Sequence, residues 1–207
     1  MRRAAFLLAS AFCIAVFGSS VSAQTTYVWN QTGTASYTTS TNWTPTRTTP
    51  ATNDVLLFNN GATTTVTGVP TQTIGQLSVS AGTNVTLQAA ANPSTLTIGG
   101  GGGTDLIVNA GTQLNISSGN ALNLTVATGA TASILGSMSV AGAAHRFTST
   151  DASSITFQNG ATFTADTGFT GNAFGTAALH SVSFASGSIY AQVTGGNPFG
   201  ASAPQSV

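Results

Sequence analysis

Two twelve-residue segments near the end of the chain have nearly the same sequence. Residues 171–182 read GNAFGTAALHSV and residues 196–207 read GNPFGASAPQSV, so the two agree at seven of twelve positions. Units repeated at this spacing are typical of proteins whose units bury their apolar faces only by stacking on one another. The second copy ends at Val207, where the first continues into Ser183 to Tyr190. We therefore expect a solenoid, and we interpret the chain as the N-terminal part of a longer protein.

Short runs of alternating apolar and polar residues recur along the chain from Ile74 onward. Alternation with a period of two over so few residues indicates short strands that each bury one face. The apolar positions of these runs are Leu77, Val79, Val85, Leu87, Leu96, Ile98, Leu106, Val108, Leu114, Ile116, Leu122, Leu124 and Val126. Lys and Glu are absent while Thr and Val abound, so the composition also favours strands and turns over helices.

Glycine marks the points where one strand should turn into the next. In four places it lies three residues after one apolar residue and three before another, as in Val79-Gly82-Val85, Val108-Gly111-Leu114, Phe157-Gly160-Phe163 and Phe184-Gly187-Tyr190. Because glycine adopts positive φ without steric cost, the chain can turn a corner there while both flanking side chains point inward. Each unit then forms a coil with an apolar interior.

The expected fold is all-β, a right-handed parallel β-helix with an N-terminal cap. The uneven spacing of glycines 82, 111, 129, 160 and 187 argues against a left-handed hexapeptide helix, which needs multiples of six. A β-sandwich is the alternative, since regularly spaced short strands suit it too.

The segment from Tyr27 to Asn60 differs from the rest because it contains both tryptophans. An uncovered first coil would expose apolar core and unpaired strand edge, so we interpret Trp29 and Trp43 as part of a cap. The alternative is that these two rings stack on a sugar. The predicted organisation is a signal peptide at 1–23, the cap and first coils at 24–73, and the solenoid repeats at 74–207.

The first residues have the features of a secretory signal. Two arginines precede an apolar run from Ala4 to Phe17, and small residues follow up to Ala23, after which cleavage is expected. A membrane anchor is the alternative, but the run is shorter than the roughly 20 residues that a spanning helix needs. We therefore expect a secreted or cell-surface protein with no membrane span after cleavage. The only cysteine, Cys13, leaves with the signal.

The charge of the remaining chain excludes one class of partner. Cleavage leaves Arg47 and Arg146 as the only fixed cations, set against four aspartates. So few cations do not neutralise a row of phosphates, which argues against nucleic acid as a partner.

One glycine-rich stretch resembles a calcium motif. Gly100 to Val108 matches the nonapeptide GGxGxDxUx, in which Asp105 would bind the ion. In that motif calcium lies between consecutive turns, so a single copy does not complete a site. We therefore interpret the stretch as a turn between coils, and we expect neither a metal nor another cofactor.

One neighbourhood holds the residue types that an enzyme acting on acidic polysaccharides would need. His145, Arg146 and Asp151 are close in sequence, and Asp166 lies about one coil further on. Clustered carboxylates, or basic groups that deprotonate a uronate, carry such chemistry. The alternative, which we favour, is that these groups decorate turns, so no catalytic residue is assigned.

Several phrases resemble a known group of exported proteins. These are the opening Tyr27-Val-Trp-Asn with the following Asn42-Trp43, the phrase from Pro50 to Phe58, and Thr73 to Val79. Together they look like the N-terminus of large secreted β-solenoid proteins of Bacteroidetes-type bacteria, which are similar to the strand-repeat passengers of autotransporters. The resemblance implies a non-enzymatic structural or adhesive solenoid, with extracellular glycans or other cell-surface components as partners. The alternative is a carbohydrate-active protein, either lyase-like or a glycan-binding module.

Overall fold

The fold is known from a computed structural model, which describes residues 24–100, 102–175 and 180–200. Nineteen strands and one short 3-10 helix, Ser40–Asn42, are found in this part of the chain. The strands form three sheets, and the chain passes from one sheet to the next through tight corners. The predicted signal segment lies outside the described residues.

The first sheet has eight strands. They are β1 (Thr26–Trp29), β3 (Trp43–Thr44), β4 (Val55–Phe58), β7 (Gln76–Val79), β10 (Leu106–Val108), β13 (Ala132–Ile134), β16 (Ile155–Phe157) and β18 (Val182–Phe184).

The second sheet has seven strands and the third has four. The second contains β2 (Gly33–Ser36), β5 (Thr63–Val69), β8 (Asn84–Ala89), β11 (Gln113–Ser118), β14 (Ser137–Gly142), β17 (Thr162–Ala165) and β19 (Ile189–Gln192). The third contains β6 (Gln72–Ile74), β9 (Ser94–Ile98), β12 (Leu122–Val126) and β15 (Arg146–Ser149).

Every pairing along the coils is parallel, and each strand pairs with its equivalent one coil away. In the first sheet, for example, Leu56, Leu77, Leu106 and Ala132 occupy the same position in four successive coils. The chain therefore forms a β-solenoid of about six turns. The solenoid prediction is confirmed, and the β-sandwich alternative is wrong because a sandwich is built from antiparallel sheets. The handedness of the coil stays a prediction.

The interior of the solenoid is one continuous apolar column. All thirteen alternating positions named in the sequence analysis are buried, from Leu77 to Val126. Residues between them on each strand are half-buried or exposed, so one face of every sheet points inward. The period-two pattern therefore predicted the inward face correctly, because successive side chains of a strand point to opposite faces.

The glycine corners are also where the sequence placed them. Gly82, Gly111, Gly160 and Gly187 each lie between a strand of the first sheet and one of the second, with φ between +72° and +85°. Gly129, also with positive φ, lies instead in a corner between the third sheet and the first. An L-residue with a side chain rarely adopts this conformation, so these corners require glycine.

The two copies of the repeated segment lie on each other. The backbone nitrogen of Gly196 donates to the carbonyl of Gly171 over 3.0 Å, and that of Phe174 donates to Pro198 over 2.7 Å. The rings of Phe174 and Phe199 are 5.6 Å apart. The parts of both copies at 176–179 and 201–207 lie outside the described residues.

The two tryptophans cover the first coil. Strand β3 pairs antiparallel with β1 and places Trp29 directly opposite Trp43. The indole nitrogen of Trp29 donates to Thr64 Oγ1, and that of Trp43 donates to the carbonyl of Tyr37, each over 2.9 Å. Both side chains are almost fully buried. The cap interpretation is therefore consistent with their packing, and the sugar-stacking alternative is wrong because neither ring face is accessible.

Candidate functional site

An arginine lies buried among the aromatic residues of the cap. The guanidinium carbon of Arg47 is 5.6 Å from the ring centre of Tyr27, 5.4 Å from that of Tyr37 and 5.8 Å from that of Trp43. Arginine stacks well on aromatic faces because its charge is spread over a flat, weakly hydrated group. These contacts explain how a cation is accommodated in an otherwise apolar cap.

The charge of Arg47 is balanced by Asp54, the residue that precedes β4. The nitrogens Nε and Nη2 of Arg47 both lie 2.8 Å from Asp54 Oδ2, but only Nε is aligned for a hydrogen bond. The same oxygen accepts the backbone N–H of Ala51 over 3.0 Å. Side-chain exposure is 2% for each member of the pair, so it is desolvated as well as neutral overall. A pair of this kind is costly to break because either partner alone would be a buried charge.

Tyr37 is a buried tyrosine that lies beside this pair. Burial raises the pKa of its phenol to about 12, although the nearby Arg47 acts in the opposite direction. The phenol therefore stays protonated at neutral pH. Its oxygen accepts a hydrogen bond from the side-chain amide of Gln72, at the start of β6.

A pocket of about 330 Å³ opens beside these residues. Tyr37 and Arg47 form part of its lining. The rest consists of the hydroxyl-bearing residues Thr38, Ser40 and Thr48, the amide side chain of Gln72, and the prolines Pro50 and Pro70. Its walls come from the connection between β2 and β4 and from the corner before β6. The cap therefore carries a concave surface with several polar groups in its wall.

A second hollow lies at the other end of the described solenoid. It measures about 210 Å³ and is lined by Phe184, Ser188, Tyr190, Pro198 and Phe199. Its aromatic walls continue two stacks of the core, since Phe184 stacks on Phe157 at 4.6 Å and Tyr190 on Phe163 at 5.8 Å. This hollow belongs to the end of the apolar column.

His145, the first member of the predicted neighbourhood, is fully buried. Its Nδ1 accepts the backbone N–H of Leu122 over 2.9 Å, which leaves Nε2 to donate to the carbonyl of Ala141 over 2.8 Å. Burial lowers the pKa of the imidazole, while the two backbone contacts oppose that effect. Both ring nitrogens are thus used by the backbone. Arg146 follows at the start of β15, half-buried and paired in register with Asn123.

The two aspartates of that neighbourhood lie at different corners of the coil. Asp151 is between β15 and β16, where its Oδ2 accepts the backbone N–H of Gly129 in the coil before. Asp166 follows β17, and its Oδ1 accepts the N–H and hydroxyl of Thr167. The corner after β15 joins the third sheet to the first, whereas that after β17 leaves the second. The structure therefore does not gather these carboxylates with His145 at one site.

Asp105, the candidate calcium ligand, bonds to the backbone of its neighbouring coil. The residue is 2% exposed, and its Oδ2 accepts the N–H of Thr131 over 3.0 Å. Its own backbone N–H donates to the carbonyl of Thr131 over 2.9 Å. Position 101 of the motif lies outside the described residues. Among the residues that are described, no group of three or more His, Cys, Asp or Glu side chains is arranged to hold a metal.

The residues around the pocket were missed by sequence reasoning. Arg47 and Asp54 lie in the segment from Tyr27 to Asn60 that contains both tryptophans, but nothing in the pattern of apolar residues marks them as a pair. One signal was present: in a chain with so few charges, an arginine and an aspartate seven residues apart beside a tryptophan indicate a buried pair.

Comparison with known proteins adds no relative to this description. No protein family, no curated protein and no solved structure matches the chain. Within the described part of the chain, no helix has the length and apolar character needed to cross a membrane.

Proposed function

We propose that this protein is a non-enzymatic structural and adhesive solenoid, secreted or displayed at the surface of a bacterial cell. The observation that carries the proposal is the uninterrupted apolar column, which runs through every described coil beneath an exterior of hydroxyl and amide side chains. Such a column makes an extended structure with a long polar surface, because its apolar residues lie inside, where they stabilise the fold.

The positions of the ionisable groups support this proposal. Asp105, Asp151 and His145 each accept a backbone N–H from an adjacent coil, over chain separations of 26, 22 and 23 residues. These side chains hold coils together, which is a structural task. The segment at 1–23 supports export, and the resemblance to secreted β-solenoid proteins of Bacteroidetes-type bacteria supports the same location.

A carbohydrate-active protein is the second candidate, and the polar pocket beside Tyr37 favours its glycan-binding form over its lyase-like form. A lyase needs converging acid and base groups. Asp151 and Asp166 lie at separate corners, and the nitrogens of His145 are occupied by backbone groups.

Exposure of the purified chain from Gln24 to Val207 to a panel of acidic and neutral polysaccharides tests the proposal. We expect no cleavage products from any of them by chromatography. Cleavage that disappears in Asp151→Ala or Asp166→Ala, while Asp105→Asn retains it, would overturn the structural function. Surface labelling of intact cells that express the whole gene tests the location, and a label confined to the cytoplasm would contradict it.

A further inference from the structure

The pocket in the cap has the size of a site for one small ligand. Its volume of about 330 Å³ lies at the lower end of the range for ligand sites, which begins at roughly 300 Å³. A volume near that limit suits a single sugar ring better than an oligosaccharide. Two of its walls, Tyr37 and Arg47, are rigidly held by the packing of the cap.

The charge around the pocket determines the kind of ligand that fits. Arg47 is the one charged residue in its lining, and Asp54 lies 2.8 Å from the guanidinium. The positive charge of Arg47 at the pocket is therefore largely neutralised by the carboxylate of Asp54. An anionic ligand would gain little attraction there and would lose its hydration, so the electrostatics favour a neutral ligand.

The polar groups of the lining match a polyol. Thr38, Ser40 and Thr48 carry hydroxyls that both donate and accept, as the hydroxyls of a sugar do. Gln72 uses its amide nitrogen on Tyr37, and its amide oxygen has no hydrogen bond from the described part of the chain. That oxygen is therefore an acceptor at the wall of the pocket.

The apolar part of the lining suits the carbon face of a ring. Pro50 and Pro70 present rigid hydrocarbon surfaces that lose no conformational entropy on binding. Polar groups on some walls and proline rings on others fit a pyranose, which has hydroxyls at its rim and C–H groups on its faces.

From these features we infer that the pocket lined by Tyr37, Thr48 and Gln72 is a binding site for one neutral pyranose unit of a glycan. The inference rests on the adhesive part of the proposed function and gives it a ligand. If the pocket binds no sugar, the structural function of the solenoid is unaffected. Failure of the sugar site can therefore be distinguished from failure of the proposed function.

Titration of the chain from Gln24 to Val207 with methyl glycosides tests the inference. The probes are the methyl glycosides of glucose, galactose, mannose and N-acetylglucosamine, with methyl glucuronide as the anionic comparison. Calorimetry or ligand-observed NMR should show saturable binding of at least one neutral glycoside and weaker binding of the glucuronide. Absence of binding by all four neutral probes, or tighter binding of the glucuronide, would overturn the inference.

Variants locate the binding in the pocket. Thr48→Val and Gln72→Ala each remove hydrogen-bonding capacity from the wall and should weaken binding about fivefold. Gln113→Ala, at an exposed position of β11 in a different coil, is the control and should bind as the parent does. Thermal unfolding of Thr48→Val, whose side chain is exposed, checks that the fold is kept. Equal affinity in the control and both pocket variants would place the sugar elsewhere and refute the site.

Discussion

Tyr37 shows how a single buried phenol can link stability to pH. Its hydroxyl is bonded to Gln72, and the ring packs edge to face on Trp43 at 5.5 Å. Ionisation would place a negative charge in this buried position, which is why burial raises the pKa from 10.0 to about 12. The protonated form is therefore the one that the fold stabilises.

Stability should consequently fall in alkali. Because the folded pKa of Tyr37 is above the unfolded value, its contribution is fully present below pH 10.0 and is lost as pH rises toward about 12. The contribution is on the order of 3 kcal/mol. By pH 11, halfway between the two pKa values, about half of this contribution should be lost, and denaturant unfolding at pH 8 and at pH 11 measures that loss. Tyr37→Phe should lose less stability over this interval than the parent, and equal losses would contradict the assignment.

His145 should make the fold less stable in acid. Burial lowers its pKa below the usual 6.5, so its contribution is present above pH 6.5 and is lost as pH falls toward the lower folded value. The free energy of unfolding of the parent should therefore decrease between pH 7.5 and pH 5. His145→Gln removes the titrating group, and its unfolding free energy should change less over this range. A variant that keeps the whole pH dependence would show that another group causes it.

The corners between strands can be predicted from the sequence where they follow a repeated pattern. The glycine corners at 82, 111, 160 and 187 follow from the spacing of apolar residues, because the geometry of the turn itself demands positive φ. The same corner occurs at Gly61, with φ +69°, but Thr64 stands where the pattern has an apolar residue, and the corner was missed. Thr64 is buried because it accepts the indole N–H of Trp29, a contact formed between different elements.

The corner between β13 and β14 is shorter than the glycine corners named above and has a different basis. Gly136 lies there with ordinary φ, but a Cβ on it would lie 2.4 Å from the carbonyl oxygens of both Asn109 and Thr112. These oxygens belong to the backbone of the neighbouring coil. The glycine is therefore needed for close approach, which spacing along the sequence does not reveal.

A pair of glycine substitutions tests this assignment. Gly136→Ala should lower the free energy of unfolding by about 3 kcal/mol, because backbone atoms must move apart. Gly119→Ala is the matched control, since its Cβ would meet nothing within 4 Å and its φ is not positive. We expect Gly119→Ala to leave stability within about 0.5 kcal/mol of the parent. Equal effects in urea unfolding would contradict the close-approach argument.

The cap and its pocket were predictable only in part, and the reason is physical. The need to cover the first coil follows from the exposed edge of any solenoid, and the two tryptophans identified the segment that does so. The pocket instead depends on how Arg47, Asp54 and Tyr37 pack in three dimensions. Contacts of this kind have no period, so a search for patterns in the sequence does not find them.

The stability of the solenoid comes from repetition of its coils. Each coil adds strands to parallel sheets and a layer to the same apolar column. Aromatic residues concentrate toward the later coils, where Phe157, Phe163 and Phe174 contact one another and the rings of the next coil. At the last described coil the partly exposed rings of Phe184, Tyr190 and Phe199 line an apolar hollow.

A disulfide between neighbouring coils tests their parallel register. The chain from Gln24 to Val207 has no cysteine, so introduced thiols have no competitor. Thr95 and Asn123 are half-buried residues that face each other in register on β9 and β12. Paired strands lie ~4.8 Å apart, which is within the reach of a disulfide.

Mild oxidation of the Thr95→Cys and Asn123→Cys double variant should therefore yield an intramolecular disulfide, detected by mass spectrometry after thiol alkylation. Thr95→Cys with Thr148→Cys is the control, because Thr148 lies on β15, a further coil away. We expect rapid crosslinking of the first pair and free thiols in the second. Free thiols in the first pair, or preferential crosslinking of the control, would contradict the stacked solenoid.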